Sequence, residues 1–204
     1  KPLALTLKDL NSIDSAFCEI NNNKADSLRL MVGFNRRFAP HIVKMKSLLS
    51  PKREPKTIVM TINAGAINSD HWTQDIEIGG GRIIGEGCHF IDLMCFLVGH
   101  SIQSHQSMMM GDSPAIDVRD DKATINLSFE DGSFGTIHYF ANGGKVFPKE
   151  RIEVFCGDAV LQLDNFKVLK GYGWPNFNKM KLLNQDKGQK ACVVAFLDSI
   201  RKGE

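Results

Sequence analysis

The 204-residue sequence contains no apolar run near the roughly 20 residues that a bilayer-spanning helix needs, and no charged leader feeding a short apolar core. Neither a helical membrane span nor a secretory signal is expected, and the reading is a cytoplasmic protein with no membrane partner. Charge of one sign is also missing. The 25 basic and 23 acidic residues are interspersed for a net charge of +2, which gives no electrostatic case for nucleic acid. Cysteine is sparse and unpatterned: Cys18, Cys88, Cys95, Cys156 and Cys192 make an odd set without a Cys-x-x-Cys pair. Such a set reads as reduced thiols rather than disulfides or structural zinc. No Gly-x-Ser-x-Gly elbow is present, and no Gly-x-Gly-x-x-Gly follows a buried strand, so neither a serine nucleophile nor a complete nucleotide site is expected. An initiating methionine is absent too. Lys1-Pro2 runs straight into a helical pattern with no strand before it, so the sequence reads as a piece of something longer.

What remains is an ordinary globular composition, 43% hydrophobic and 24% charged, with alternating element signals. Thr6 and Asp9 open a helix carried by Leu10, Ile13, Ala16, Phe17 and Ile20 and closed by the Asn21–Asn23 cluster. Leu28–Phe34 (LRLMVGF) reads as a buried strand delivering Asn35-Arg36-Arg37-Phe38, and Pro40 begins a second helix to about Leu49. After a charged, proline-flanked connector, strands are expected at 57–63, 102–110, 121–129, 133–140, 149–156 and 159–164, with turn signals between the last five. Residues 171–177 (GYGWPNF) read as loop, and 189–201 as a closing amphipathic helix. Together these predict an α+β fold: a large, mostly antiparallel sheet with helices on one face. Met108, Ile125, Leu127, Phe134, Ile137 and Phe155 place apolar residues at both strand parities. The open face is therefore expected to be apolar and to build a homo-oligomer.

The stretch with chemical promise is Gly79–Gly99, a triple glycine feeding an apolar helix with one polar stripe. On a wheel of about 100° per residue, Arg82, Gly85, Glu86 and Asp92 share the face of His89. A histidine beside carboxylates is a group tuned to move protons near neutral pH. Cys88 points away from that face and no second ligand cluster exists, so no metal is expected. Arg36 and Arg37 are candidate forks for a carboxylate, phosphate or sugar hydroxyl. Asp70-His71-Trp72, an aromatic plate beside polar side chains, is the combination a sugar site uses.

Three blocks carry a family resemblance: Lys1-Pro2-Leu3-Ala4, then Val32-Gly33-Phe34-Asn35-Arg36-Arg37-Phe38-Ala39-Pro40, then Gly79-Gly80-Gly81 through Gly87-x-His89-x-x-Asp92. In order and approximate spacing they resemble the glucose-fructose oxidoreductase / inositol dehydrogenase (Gfo/Idh/MocA) family. The likeness covers essentially the whole chain, as that family's second domain, cut at the junction with a Rossmann domain that binds NAD or NADP. It implies that residues 1–204 form a substrate-binding and oligomerisation domain. Residues 1–50 would be the helix-strand-helix remnant of the junction, and 55–204 the sheet with its covering helices. It implies hydride transfer between a nicotinamide and a hydroxyl-bearing carbon of a sugar, cyclitol or nucleotide-sugar, with the chain alone inactive. Lys1, His89 and Glu86 would be catalytic. Arg37, Asn63, Asp70, His71, Trp72, Arg82 and Asp92 would orient substrate, and Lys1, Pro2, Asn35 and Arg36 would meet the cofactor. Where many members carry Asp, four residues before the histidine, this chain has Gly85, with Glu86 one step later. The rival reading is a non-catalytic sugar-binding or oligomerisation module of the same fold.

Overall fold

The computed structural model describes residues 2–22 and 28–203. Lys1 lies outside the described residues. In chain order the elements are α1 (Leu7–Asn22), a 3-10 turn (Asn35–Phe38), α2 (Pro40–Leu49), β1 (Thr57–Asn63), a π-helical turn (Ile83–Gly87) and α3 (Cys88–Val98). Then come β2 (Ile102–Met109), β3 (Lys122–Phe129), β4 (Phe134–Phe140), β5 (Glu150–Cys156), β6 (Ala159–Asp164), β7 (Val168–Tyr172), β8 (Lys179–Lys181) and α4 (Gln189–Lys202).

All eight strands form one sheet in the order β2-β3-β4-β1-β5-β6-β7-β8, and the fold is α+β with a mostly antiparallel sheet, as expected. Two details depart from a simple meander. β1 is inserted between β4 and β5, parallel to β4 and antiparallel to β5, so residues 141–149 must cross over its end. β7 and β8 extend the far edge, and the end of β7 takes in Gly171 and Tyr172 from the stretch expected to be loop.

Strand alternation explains the core. Ile58, Met60 and Ile62 of β1, Ile125 and Leu127 of β3, Ile137 and Tyr139 of β4, and Ile152 and Val154 of β5 turn to one face. There they meet Ile42, Met45 and Leu49 of α2 and Phe90, Leu93, Met94 and Leu97 of α3. Gly135 lets α3 settle onto the sheet: a Cβ there would stand 2.6 Å from Met94 Sδ and 2.8 Å from the Ile58 carbonyl oxygen. Gly135→Ala is expected to cost about 1–3 kcal/mol through overpacking, read as a lower midpoint in thermal or chemical denaturation.

The open face corrects the expectation of an apolar surface. Ile125, Leu127 and Ile137 belong to the buried side, while Met108, Phe134 and Phe155 are exposed on the other. Between them lies a polar ladder: Ser104 with Ser128 at 2.7 Å, Thr136 donating to Asn126 at 2.9 Å, and Thr124 with His138 at 3.1 Å. The face is thus mixed, hydroxyl and amide groups with isolated aromatics.

The N-terminal segment holds a second correction. Residues 28–34 form no strand and end in tight turns, with Phe34 N–H donating to the Val32 carbonyl at 2.7 Å and Asn35 N–H to that of Gly33 at 2.9 Å, and Leu28, Leu30 and Met31 are exposed. An apolar run of strand composition becomes a strand only when a neighbour supplies the ladder. α1 starts where expected, with Thr6 Oγ1 accepting the Asp9 N–H at 3.1 Å, yet it buries no residue and exposes Leu7, Leu10 and Ile20. α4 buries Cys192 alone and exposes Val193, Val194, Leu197 and Ile200. Both helices thus leave an apolar stripe uncovered by the described residues.

Candidate active site

The glycines at 79–81 set the approach. Gly80 and Gly81 have φ of +71° and +72°, a left-handed pair that reverses the chain before the helix begins. At Gly79 a Cβ would sit 2.4 Å from the Trp72 carbonyl oxygen and 2.7 Å from Thr73 Cα. The close approach that this glycine permits is therefore to the chain's own 72–73 loop. The helix that follows is not uniformly α-helical: Ile83–Gly87 forms a π-helical turn that runs without a break into the α-helix Cys88–Val98. A π turn holds more residues per revolution than an α turn, so a wheel at a fixed 100° misplaces everything on one side of it.

The expected stripe accordingly splits. Arg82 and Glu86 face the turn after β1 and the end of β4. Arg82 is 3% exposed; Nη1 donates to the Gly65 carbonyl at 2.7 Å and Nη2 to that of Ala64 at 3.3 Å. Its guanidinium also pairs with Glu86 Oε2 at 3.3 Å and Asp121 Oδ2 at 3.7 Å. Asp92 turns elsewhere and takes a bidentate fork from Arg37, with Nε donating to Oδ2 at 2.7 Å and Nη2 to Oδ1. That hydrogen bonding raises the Arg37 pKa further, and its guanidinium lies 5.6 Å from the Phe96 ring centre.

The neighbouring residues of the Asn-Arg-Arg-Phe block are equally engaged. Asn35 donates from Nδ2 to the Lys187 carbonyl at 2.7 Å. Arg36 and Lys187 both grip Glu150, at 3.1 and 2.6 Å, while Arg36 lies 4.6 Å from the Phe90 ring centre. These side chains stitch the 3-10 turn to β5, to α3 and to the loop before α4.

A cavity of about 340 Å³ is lined by Pro2, Leu5, Trp72, Thr73, Ile78, Gly79, Gly81, Arg82, Gly85 and Glu86. Of the residues singled out in the sequence, it unites Pro2, Trp72, Arg82 and Glu86. His89 is buried at the start of α3 and meets Phe34 edge to face at 5.6 Å; it does not line this cavity. Asp70 and His71 are exposed on the loop before Trp72, where His71 Nδ1 lies 2.8 Å from Thr73 Oγ1 and its ring 5.9 Å from Trp72. Asn63 ends β1 and donates to the carbonyls of Gly144 (2.9 Å) and Phe147 (3.3 Å), pinning the crossover loop.

Tyr139 is the residue that sequence reasoning missed. It is fully buried at an inward position of β4, and its hydroxyl donates to Glu86 Oε2. An inward tyrosine in a strand needs a partner for its hydroxyl, and that was the available signal. Burial pushes the Glu86 carboxyl up, but the Tyr139 hydroxyl, Arg82 and Lys149 outweigh it and the net pKa lies below the ordinary glutamate value. Burial, then Glu86, holds Tyr139 well above the usual phenol range. The thiols of Cys88 and Cys95 are pushed up by burial and stay protonated at neutral pH. Among the described residues no group of three His, Cys, Asp or Glu is arranged to hold a metal ion.

The family model for the GFO/IDH/MocA C-terminal domain matches residues 54–162, just over half of the chain. The chain belongs to the GFO/IDH/MocA family. No curated protein matches the sequence. Solved structures with the same fold include an aldose-aldose oxidoreductase from Caulobacter crescentus complexed with glycerol, at 19% identity and a TM-score of 0.78. An oxidoreductase domain protein from Kribbella flavida is similar at 20% and 0.77, and a UDP-N-acetylglucosamine 3-dehydrogenase from Acidithiobacillus ferrooxidans at 18% and 0.74. Each match covers 100% of this chain and 61%, 65% and 61% of the other, so this GFO/IDH/MocA chain spans less than two thirds of the length of those proteins. At such identities the likeness establishes the fold of the GFO/IDH/MocA domain, and the chemistry must be argued from its own residues.

Proposed function

We propose that this chain is the substrate-binding half of an NAD(P)-dependent oxidoreductase that acts on a hydroxyl of a sugar, cyclitol or nucleotide-sugar. The observation that carries the reading is the cavity that sets an ionised carboxylate, Glu86, with Trp72 and glycine-lined walls around it. An aromatic plate with a hydrogen-bond acceptor suits a polyol ring, and the volume suits one ring rather than a long ligand. The related dehydrogenases and aldose oxidoreductase of the same fold support that substrate class.

The described residues fit a reacting ring and do not fit a pyrophosphate. Gly79 is spent on the Trp72–Thr73 backbone and Gly80 on the Leu5 side chain, and among the described residues no strand leads into the run. A dinucleotide-binding domain is therefore proposed to lie against α1, the unpaired 28–34 segment and α4, whose apolar residues it would cover, with Pro2 at the cavity rim. NAD or NADP, when bound, supplies the hydride donor or acceptor. The chain's own work is to bind and orient the ring through Trp72, Thr73 and Glu86, and to exchange the hydroxyl proton through His89, which stands outside this lining against Phe34, so that the reacting hydroxyl must extend past the cavity toward α3. A proton acceptor is required because an alcohol at neutral pH releases hydride only as its O–H proton leaves. Arg37 and Asp92, and likewise Arg36 and Asn35, shape the site by holding α3 and the 3-10 turn together.

Two readings of one assay test this. The isolated chain is expected to leave NADH emission unchanged, and the intact protein to change absorbance at 340 nm with at least one member of a nucleotide-sugar and inositol panel. Tight NADH binding by the isolated chain would contradict the division of labour, and silence of the intact protein across the panel would favour the non-catalytic module.

A further inference from the structure

We propose that Tyr139 and Arg82 are positioning residues that hold Glu86 as the cavity's hydrogen-bond acceptor, a carboxylate carried where its neighbour Gly85 offers no side chain. The proposal rests on the oxidoreductase reading above. A Cβ at Gly85 would have only the Gly79 carbonyl near it, at 3.4 Å, so position 85 faces the glycine turn and the cavity with room to spare. The acid is carried by the next residue, and the π turn at Ile83–Gly87 is the local distortion in which both lie.

Three features make Glu86 a built group rather than a surface acid. Tyr139, fully buried under α3, gives its hydroxyl to Oε2. Arg82, held by the carbonyls of Ala64 and Gly65 and by Asp121, gives Nη2 to the same oxygen at 3.3 Å. Oε1 accepts no hydrogen bond among the described residues, and the side chain keeps 45% of its surface exposed at the cavity. One oxygen is thus fixed by two donors on rigid elements, and the other is left for a ligand hydroxyl. A carboxylate pinned in this way keeps its direction at little reorganisation cost when a sugar hydroxyl arrives. The charged and titratable groups facing it are Arg82 from its own helix, Tyr139 from β4, Lys149 from the crossover loop and, next to Arg82, Asp121. The cations and the phenol favour the ionised form, so Glu86 is an acceptor across the neutral range.

Tyr139→Phe removes the hydroxyl and keeps the ring. In the 204-residue chain, carbon-13 titration of the Glu86 carboxyl, assigned by its absence in Glu86→Gln, is expected to show the pKa move up in Tyr139→Phe. In the intact protein the same variant is expected to lose kcat/KM at every pH, and about tenfold more on the acid side of the profile than on the alkaline side, as a lost hydrogen bond to a charged acceptor predicts. A lower melting temperature with an unmoved Glu86 titration would mean Tyr139 is merely structural and would overturn the inference. So would a Glu86 titration that moves while the acid limb of the activity profile stays in place. Failure of the oxidoreductase reading is distinguishable, because it shows as an inactive wild type whatever the titration reports.

Discussion

Replacing Glu150 with alanine is expected to destabilise the domain by about 3 kcal/mol, the cost of breaking a buried ion pair from one side. Glu150 begins β5 with its side chain 1% exposed, and it is the shared anion for Arg36 at 3.1 Å and Lys187 at 2.6 Å. Those cations are themselves 12% and 17% exposed, so removing the carboxylate leaves two charges poorly solvated and facing each other. Equilibrium denaturation at neutral pH checks the figure; a loss under about 1 kcal/mol would mean that water replaces the carboxylate at no cost. The pH dependence follows the same pair. Burial raises the Glu150 pKa, but Arg36 and Lys187 more than reverse it and the folded-state value is depressed. A group depressed on folding contributes stability above its unfolded pKa and loses it as pH falls through the folded one. The wild type should therefore begin to lose this contribution as pH falls into the ordinary carboxylate range and lose it fully only below that range, and Glu150→Gln should flatten that part of the stability profile.

The second large effect concerns catalysis. In the intact protein, His89→Ala is expected to lower kcat by about 10²- to 10⁴-fold, the usual worth of a positioned proton carrier, with a smaller change in KM. His89 is buried at the first turn of α3 against Phe34, so its ring is oriented rather than free to sample solvent. Steady-state kinetics with a saturating cofactor measure the split. Equal losses in kcat for His89→Ala and for a distant surface variant would remove the assignment.

Much of the fold could be read from one dimension, because alternation and turn residues are local. β1 runs Thr57–Asn63 as expected, β6 runs Ala159–Asp164, and α1, α2 and α4 begin within a residue of their expected starts. What could not be read depends on partners. Leu28–Phe34 has the composition of a strand but finds no ladder, while Val168–Tyr172 becomes β7 because β6 and β8 flank it, despite the Gly-Tyr-Gly that reads as loop. The polar stripe was visible as residues and not as geometry. The π turn breaks the wheel between Arg82 and His89, and the partners that decide each side chain lie far away in sequence: Asp92 for Arg37, Glu150 for Arg36, Tyr139 for Glu86. The carboxylate that departs from the family pattern was thus legible as Glu86, but its orientation toward a cavity needed β4.

The proposed role of this fold is to present a sugar hydroxyl for hydride transfer. Its most direct measurement uses the intact protein and a substrate deuterated at the carbon bearing the reacting hydroxyl. The account predicts that the label appears on the nicotinamide of the reduced cofactor. Label retained in the sugar product or lost to water, with product still formed, would contradict it.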